Sequence, residues 1–141
     1  MNNAVILVAR LLLAHIFLFS GLSKVGAGYA GTQGYMEAMG VPGILLPFVI
    51  VLEMGGGLAL IVGFFTRWAA LALAGFCVIA AAVFHHNLSD QIQMIMFMKN
   101  FAMAGGLLLL YVHGAGAFSL DAKRAMQSPG RQAKSSGVIS P

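Results

Sequence analysis

Four stretches of the chain are almost uninterrupted in apolar residues: Ala4 to Leu22, Ile44 to Phe64, Trp68 to Phe84 and about Lys99 to Phe118. Each approaches the ~20 residues that an α-helix needs to cross a bilayer. They do not alternate in and out as the strands of a membrane barrel must, so the pattern predicts helices. The connections differ in kind. F-T-R-W at 65 to 68 is tight, whereas residues 23 to 43 are Gly-rich and carry two tyrosines. Within them Y-M-E-A-M predicts a turn or two of amphipathic helix at the membrane surface, closed by Gly40 and Pro42. In the segment His85 to Met98, H-H-N-L-S-D is followed by Q-I-Q-M-I-M-F-M, expected to lie in the interface before the last span begins. G-A-G-A-F-S-L-D at 114 to 121 predicts a helix end followed by a Ser-Leu-Asp cap that starts a short surface helix. The predicted fold class is all-α: a compact four-helix transmembrane bundle with short interfacial helical segments. It forms one domain over residues 1–122, and a basic cytoplasmic tail over 123–141, without apolar periodicity, is expected to be disordered.

Composition supports lipid as the solvent. Hydrophobic residues make up 60% of the chain and charged residues 9%, against roughly a quarter charged in a soluble domain, and the mean hydropathy is +0.90. The first apolar run has no basic segment before it, is interrupted by Arg10 and is followed by no convincing cleavage site, so it is read as a retained helix. The single cysteine, Cys77, excludes an internal disulfide relay and suits a small buried apolar residue. Net charge is +4, with Lys123, Arg124, Arg131 and Lys134 near the end. Scattered and without interleaved aromatics, these cations suit anionic lipid and topology rather than nucleic acid. Arg67 and the terminal cations outnumber Lys24 and Lys99 at the other ends of the helices, which predicts both termini in the cytoplasm.

The ionisable residues near or within the spans are the candidates for chemistry, because each costs roughly 3 kcal/mol to insert and usually faces a partner or a cavity. At about 100° per residue, Arg10, Ala14, Phe17, Gly21 and Lys24 share one stripe of the first helix. Glu53 shares a stripe with Ile50, Gly57, Leu60 and Phe64, His85 with Ala81, Val78 and Ala74, and Lys99 with Met103, Gly106, Leu110 and His113. Arg10 and Glu53 are expected at similar depth, as a buried ion pair. Lys24, His85 and Lys99 are expected to form an outer polar cluster that binds a ligand, with Glu53 and His85 handling protons. His15 and His113 suit packing roles, and the adjacent His85 and His86 diverge too far on a helix to predict a metal site.

Gly55, Gly56 and Gly57, in V-L-E-M-G-G-G-L-A-L, and Gly105 with Gly106 suit helices whose backbones approach closely in lipid. Met94, Met96, Met98 and Met103 beside Phe97 and Phe101 offer an adaptable apolar wall.

In order along the chain stand R-x-x-L-A-H-I-F-L-F-S-G-L-S-K at 10 to 24, G-V-P at 40 to 42, E-M-G-G-G-L-A-L-I-V-G-F-F-T-R at 53 to 67, His85, Lys99, and G-A-G-A-F-S-L-D at 114 to 121. In these motifs, over about residues 5 to 124, the chain resembles the DoxX family of membrane proteins. The resemblance implies a compact four-helix protein of the bacterial inner membrane. It also implies a membrane redox role, because relatives are linked to thiosulfate oxidation with quinone as acceptor and to thiol-redox complexes with soluble enzymes. Quinone is thus the cofactor it suggests; the expected partners are membrane lipids, a soluble redox enzyme and a homo-oligomeric copy, not nucleic acid. A scaffold that recruits a soluble enzyme, and a small transporter of a weak acid or anion, are the alternative functions.

Overall fold

Helix α1, Asn3–Ser23, is the first of four helices long and apolar enough to cross a membrane in a computed structural model that describes residues 2–128. Asn2 caps its start through a 2.9 Å bond from the Ala4 amide. Then follow α2, Ala27–Ala38; a 3-10 turn, Gly43–Leu45; α3, Leu46–Val62; α4, Thr66–Phe84; α5, Gln91–His113; and α6, Leu120–Gln127. No strand occurs among the described residues. The expected all-helical class and the four spans are therefore present.

The spans pack mainly as two pairs, α1 on α3 and α4 on α5, joined by α3 against α4, while the α1–α5 seam is sparser than these three. The bundle has a proximal face, where Asn3 Oδ1 accepts a 3.0 Å bond from the Ala117 amide, and a distal face, which carries α2 and the α4–α5 connection. The core holds Ala14, Phe17, Leu60, Leu73, Cys77 and Leu107. Most other large apolar side chains point outward, as in Leu12, Phe48, Ile79 and Leu109, the arrangement expected of helices solvated by lipid tails.

Three of the expected boundaries shift. Asp90 accepts a 2.9 Å bond from the Gln93 amide and starts α5, so Q-I-Q-M-I-M-F-M is continuous with the last span as one helix. Lys99 therefore lies in the third turn and does not open the helix. The short helix expected at Y-M-E-A-M begins nine residues before Met36, at Ala27, and uses the Gly-rich A-G-Y-A-G-T-Q-G as helix. Gly26 and Gly40 flank it with φ of +67° and +78°, a conformation that side chains other than glycine rarely adopt. Finally, α6 carries Lys123 and Arg124 across the expected boundary at 122/123. Arg131, Lys134 and the rest of residues 129–141 lie outside the described residues.

The three glycines of E-M-G-G-G divide their work by helix face. A Cβ on Gly57 would lie 2.9 Å from Leu18 Cγ and 3.2 Å from the Ala14 carbonyl oxygen, and one on Gly56 2.9 Å from Leu73 Cδ1. One on Gly55 would meet nothing within 4 Å. Gly57→Ala is therefore expected to destabilise the protein by about 1–3 kcal/mol through overpacking of α1 on α3. Gly55→Ala should leave it unchanged or up to about 1 kcal/mol more stable through helix propensity. Melting of the two variants in detergent checks the opposite signs, and equal shifts would refute the assignment.

Candidate functional site

The antiparallel register of α1 and α3 decides which charges meet. Gly57 faces Leu18 and Ala14, Gly21 faces Glu53 and Met54, and Gly63 faces Arg10. Glu53 is thus level with Ser20, ten residues along α1 from Arg10, which at 1.5 Å per residue is about 15 Å of depth.

The expected Arg10–Glu53 ion pair accordingly does not form. Glu53, 3% exposed, pairs instead with Lys24, whose Nζ donates to Oε2 at 2.8 Å and Oε1 at 3.1 Å. This is the one ion pair among the described residues. Lys24 Nζ also donates to the Ser20 carbonyl at 3.0 Å and to Ser20 Oγ at 2.6 Å, and Ser20 Oγ donates to Glu53 Oε1 at 3.0 Å. The ammonium therefore sits at the C-terminus of α1, where the helix end is electronegative, and bends back toward the bundle centre.

Arg10 is 1% exposed and performs a different task. Its Nε donates to the Leu60 carbonyl at 2.9 Å and Nη2 to that of Ile61 at 3.0 Å, while Nη1 donates to the carbonyls of Ala115 and, at 3.0 Å, Phe118. Leu60 and Ile61 lie in the last turn of α3, where carbonyls lack an intrahelical donor. One planar fork thereby joins the end of α3 to the segment after α5.

Asp121 completes this proximal assembly. Its carboxylate accepts from the amides of Phe65 at 2.8 Å and Thr66 at 2.9 Å, capping α4, and its own amide donates to the Gly63 carbonyl at 2.8 Å. Ser119 caps α6 as expected from Ser-Leu-Asp, through a 3.1 Å bond from the Ala122 amide. Arg124 stands over the rings of Phe64 and Phe65 at 5.2 and 4.7 Å. Arg67, Lys123 and Arg124 are all exposed on this face.

On the distal side a cavity of about 270 Å³ opens among α1, α2, α3, α4 and α5. Lys24, Glu53, His85 and Lys99 all line it, so the expected outer cluster is brought together and Glu53 joins it. The apolar wall comes from Phe17, Phe76, Phe84, Met96 and Met103. His85 Nδ1 lies 3.0 Å from Gln93 Oε1. Nε2 has no protein partner among the described residues. Helix α2 covers the distal side with Thr32, Tyr35 and Met36, and Tyr35 stacks on Phe84 at 5.6 Å while its hydroxyl donates to the Phe84 carbonyl at 3.3 Å.

Sequence reasoning missed four of the polar groups here, Ser20, Thr32, Tyr35 and Asn100. Ser20 carried a signal, since it precedes Lys24 by one helical turn. Thr32 and Tyr35 had none beyond their place in the connection after the first span. Asn100 was missed because the inward row of α5 was drawn through Lys99; the buried positions are Asn100, Ala104, Leu107 and Leu110, while Lys99 itself is exposed. Among the described residues no group of three or more His, Cys, Asp or Glu side chains is placed to hold a metal ion.

The sequence aligns with other membrane proteins. It is 53% identical over 116 residues to the inner membrane protein YqjF of Escherichia coli, covering 82% of this chain and 88% of that protein. It is 36% identical over 123 residues to the inner membrane protein YphA of the same organism, covering 82% and 87%. No solved structure matches it. The DoxX family model matches residues 5–86, a span that holds Arg10, Lys24, Glu53 and His85. The helices, motif order and relatives agree: the chain belongs to the DoxX family.

Proposed function

We propose that this protein is a bacterial inner-membrane component of a redox system and that its distal cavity binds the headgroup of a quinone. The observation that carries this reading is a cavity within the helical bundle that combines apolar walls with Lys24, Glu53, His85 and Lys99. Its volume, about 270 Å³, is just below the ~300 Å³ at which ordinary small-molecule pockets begin. That suits a single substituted ring and leaves an isoprenoid tail to lie in lipid, reached through the sparse α1–α5 seam.

The residues fit such a ring. Lys24 and Glu53 neutralise one another, so Lys99, which has no ion-pair partner among the described residues, contributes a positive charge and N–H donors for a ring oxygen. When bound, a quinone would supply the two-electron, two-proton couple, with a soluble redox enzyme as the partner in electron exchange. His85, through the free Nε2, and Glu53, through its bond to Ser20, hold the protons that accompany those electrons. Lys24 takes the place expected for Arg10 in fixing the Glu53 carboxylate. The exposed Arg67, Lys123 and Arg124 favour the proximal face as the cytoplasmic one.

Protein extracted from its native membrane should carry quinone detectable by mass spectrometry of the organic extract. His85→Ala and Lys99→Ala should each weaken binding of a decyl-substituted benzoquinone by about fivefold, the effect of one net hydrogen bond. Unchanged affinity in both variants would remove the cavity from the reading.

A further inference from the structure

We infer that Asn100 determines specificity in the distal cavity and that it favours the reduced, hydroxyl-bearing form of the ring ligand over the oxidised, carbonyl-bearing form. The inference rests on the quinone reading and extends it to a residue outside the charged cluster.

Asn100 is 9% exposed and stands in the fully helical part of α5, on the buried row that continues through Ala104 and Leu107. Its Nδ2 donates to the Met96 carbonyl at 2.9 Å. A backbone carbonyl accepts and cannot donate, so chemistry fixes the amide: the NH2 group faces Met96 and Oδ1 is turned the other way. Asn100 Oδ1 receives no donor from the described residues. Nor is it sealed in the protein, because Thr66 Oγ1 is the single buried side-chain polar atom without a partner among the described residues. Asn100 lines the cavity, to which its accessible free acceptor is therefore assigned.

The cavity consequently offers the unpaired acceptor Asn100 Oδ1 alongside the donor Lys99 and the unpaired His85 Nε2. A hydroquinone O–H group donates to such an acceptor. Quinone oxygens only accept, so the oxidised ring pairs with Lys99 but leaves the amide oxygen desolvated and unmatched. A site that hydrogen-bonds a ligand hydroxyl discriminates strongly against the analogue that lacks it, because its own buried polar group is left without a partner. Asn100 cannot be relieved by turning its amide over, since that would place Oδ1 against the Met96 carbonyl.

Binding of a decyl-substituted benzoquinone and of its hydroquinone, the latter kept reduced under anaerobic conditions, separates the outcomes in detergent-solubilised full-length protein. The wild type is expected to bind the hydroquinone about tenfold tighter than the quinone, the scale of one to two net hydrogen bonds. In Asn100→Leu the preference should vanish through weaker hydroquinone binding, with quinone affinity within about twofold of wild type, since only the donor-bearing form loses a partner. Asn100→Ala, smaller and without demand for space, provides the same reading should the leucine variant fail to fold. Retention of the preference in the folded variant, or equal weakening of both forms, would overturn the role of Asn100. A wild type that binds both forms equally overturns that role while leaving the quinone reading intact; one that binds neither removes the quinone reading itself.

Discussion

Replacing Arg10 by methionine is expected to lower stability by about 3–5 kcal/mol, the largest effect of any single substitution considered for the proximal face, because several buried carbonyls lose their donor at once. The guanidinium donates to Leu60, Ile61, Ala115 and Phe118, and water cannot replace it at a position 1% exposed. Methionine fills much of the volume without supplying a donor. Lysine should recover little of the loss, since one ammonium cannot reach both the end of α3 and the segment after α5 in the fixed fork of an arginine. Thermal unfolding in mild detergent measures the change. Cleavage by added protease should map first to the 114–119 segment, which Arg10 ties to α3. A melting temperature equal to that of wild type would show that the four carbonyls are satisfied without Arg10. Because Arg10 lies about 15 Å below Glu53 in depth, whatever folded Arg10→Lys protein is obtained should bind the cavity ligand normally.

The second large effect concerns Lys24 and Glu53. Lys24→Met leaves a carboxylate whose side chain is 4% exposed without its cation, and breaking such a pair from one side costs about 3–5 kcal/mol. Glu53→Met should be milder, because Lys24, 18% exposed, can extend toward the distal surface. The double change Lys24→Met with Glu53→Met is expected to restore most of the stability, since an apolar pair of similar volume replaces a buried ion pair at little or no net cost. It should nevertheless abolish proton-coupled quinone turnover, since Glu53 no longer holds a proton. Stability and quinone turnover measured over the full double-mutant cycle test this separation. A double variant that folds and also turns over quinone as the wild type does would make the pair purely structural. One that fails to regain stability would mean that Ser20 and the neighbouring backbone depend on the charges.

Much of the architecture follows from one-dimensional patterns. Apolar run length marks the spans because a helix in lipid must be both long enough and apolar on most of its surface. The inward stripe of α1, read from 100° steps as Arg10, Ala14, Phe17 and Gly21, matches its buried residues, which also include Ile6. Ser-Leu-Asp announced α6 because a cap is a local device whose partner lies three residues away. The row on α5 was misplaced by one residue, and with it Asn100, because nearly all side chains near it are apolar and a charged residue is a poor guide to the inward face when it can snorkel.

Linear pattern alone identifies a helical membrane protein, the residues too polar to face lipid, and the short-range caps that begin and end helices. Which of those polar residues meet is settled by how the helices pack. Angular position around a helix is a property of local spacing, but relative height depends on where antiparallel helices start and how their glycines seat. Gly21 against Glu53 and Gly63 against Arg10 set that register. It places Glu53 beside Lys24 in the distal cavity and sends Arg10 to the carbonyls at the end of α3. It is likewise α2, with Tyr35 on Phe84, that completes the lining of the one cavity shared by four ionisable residues scattered along the sequence.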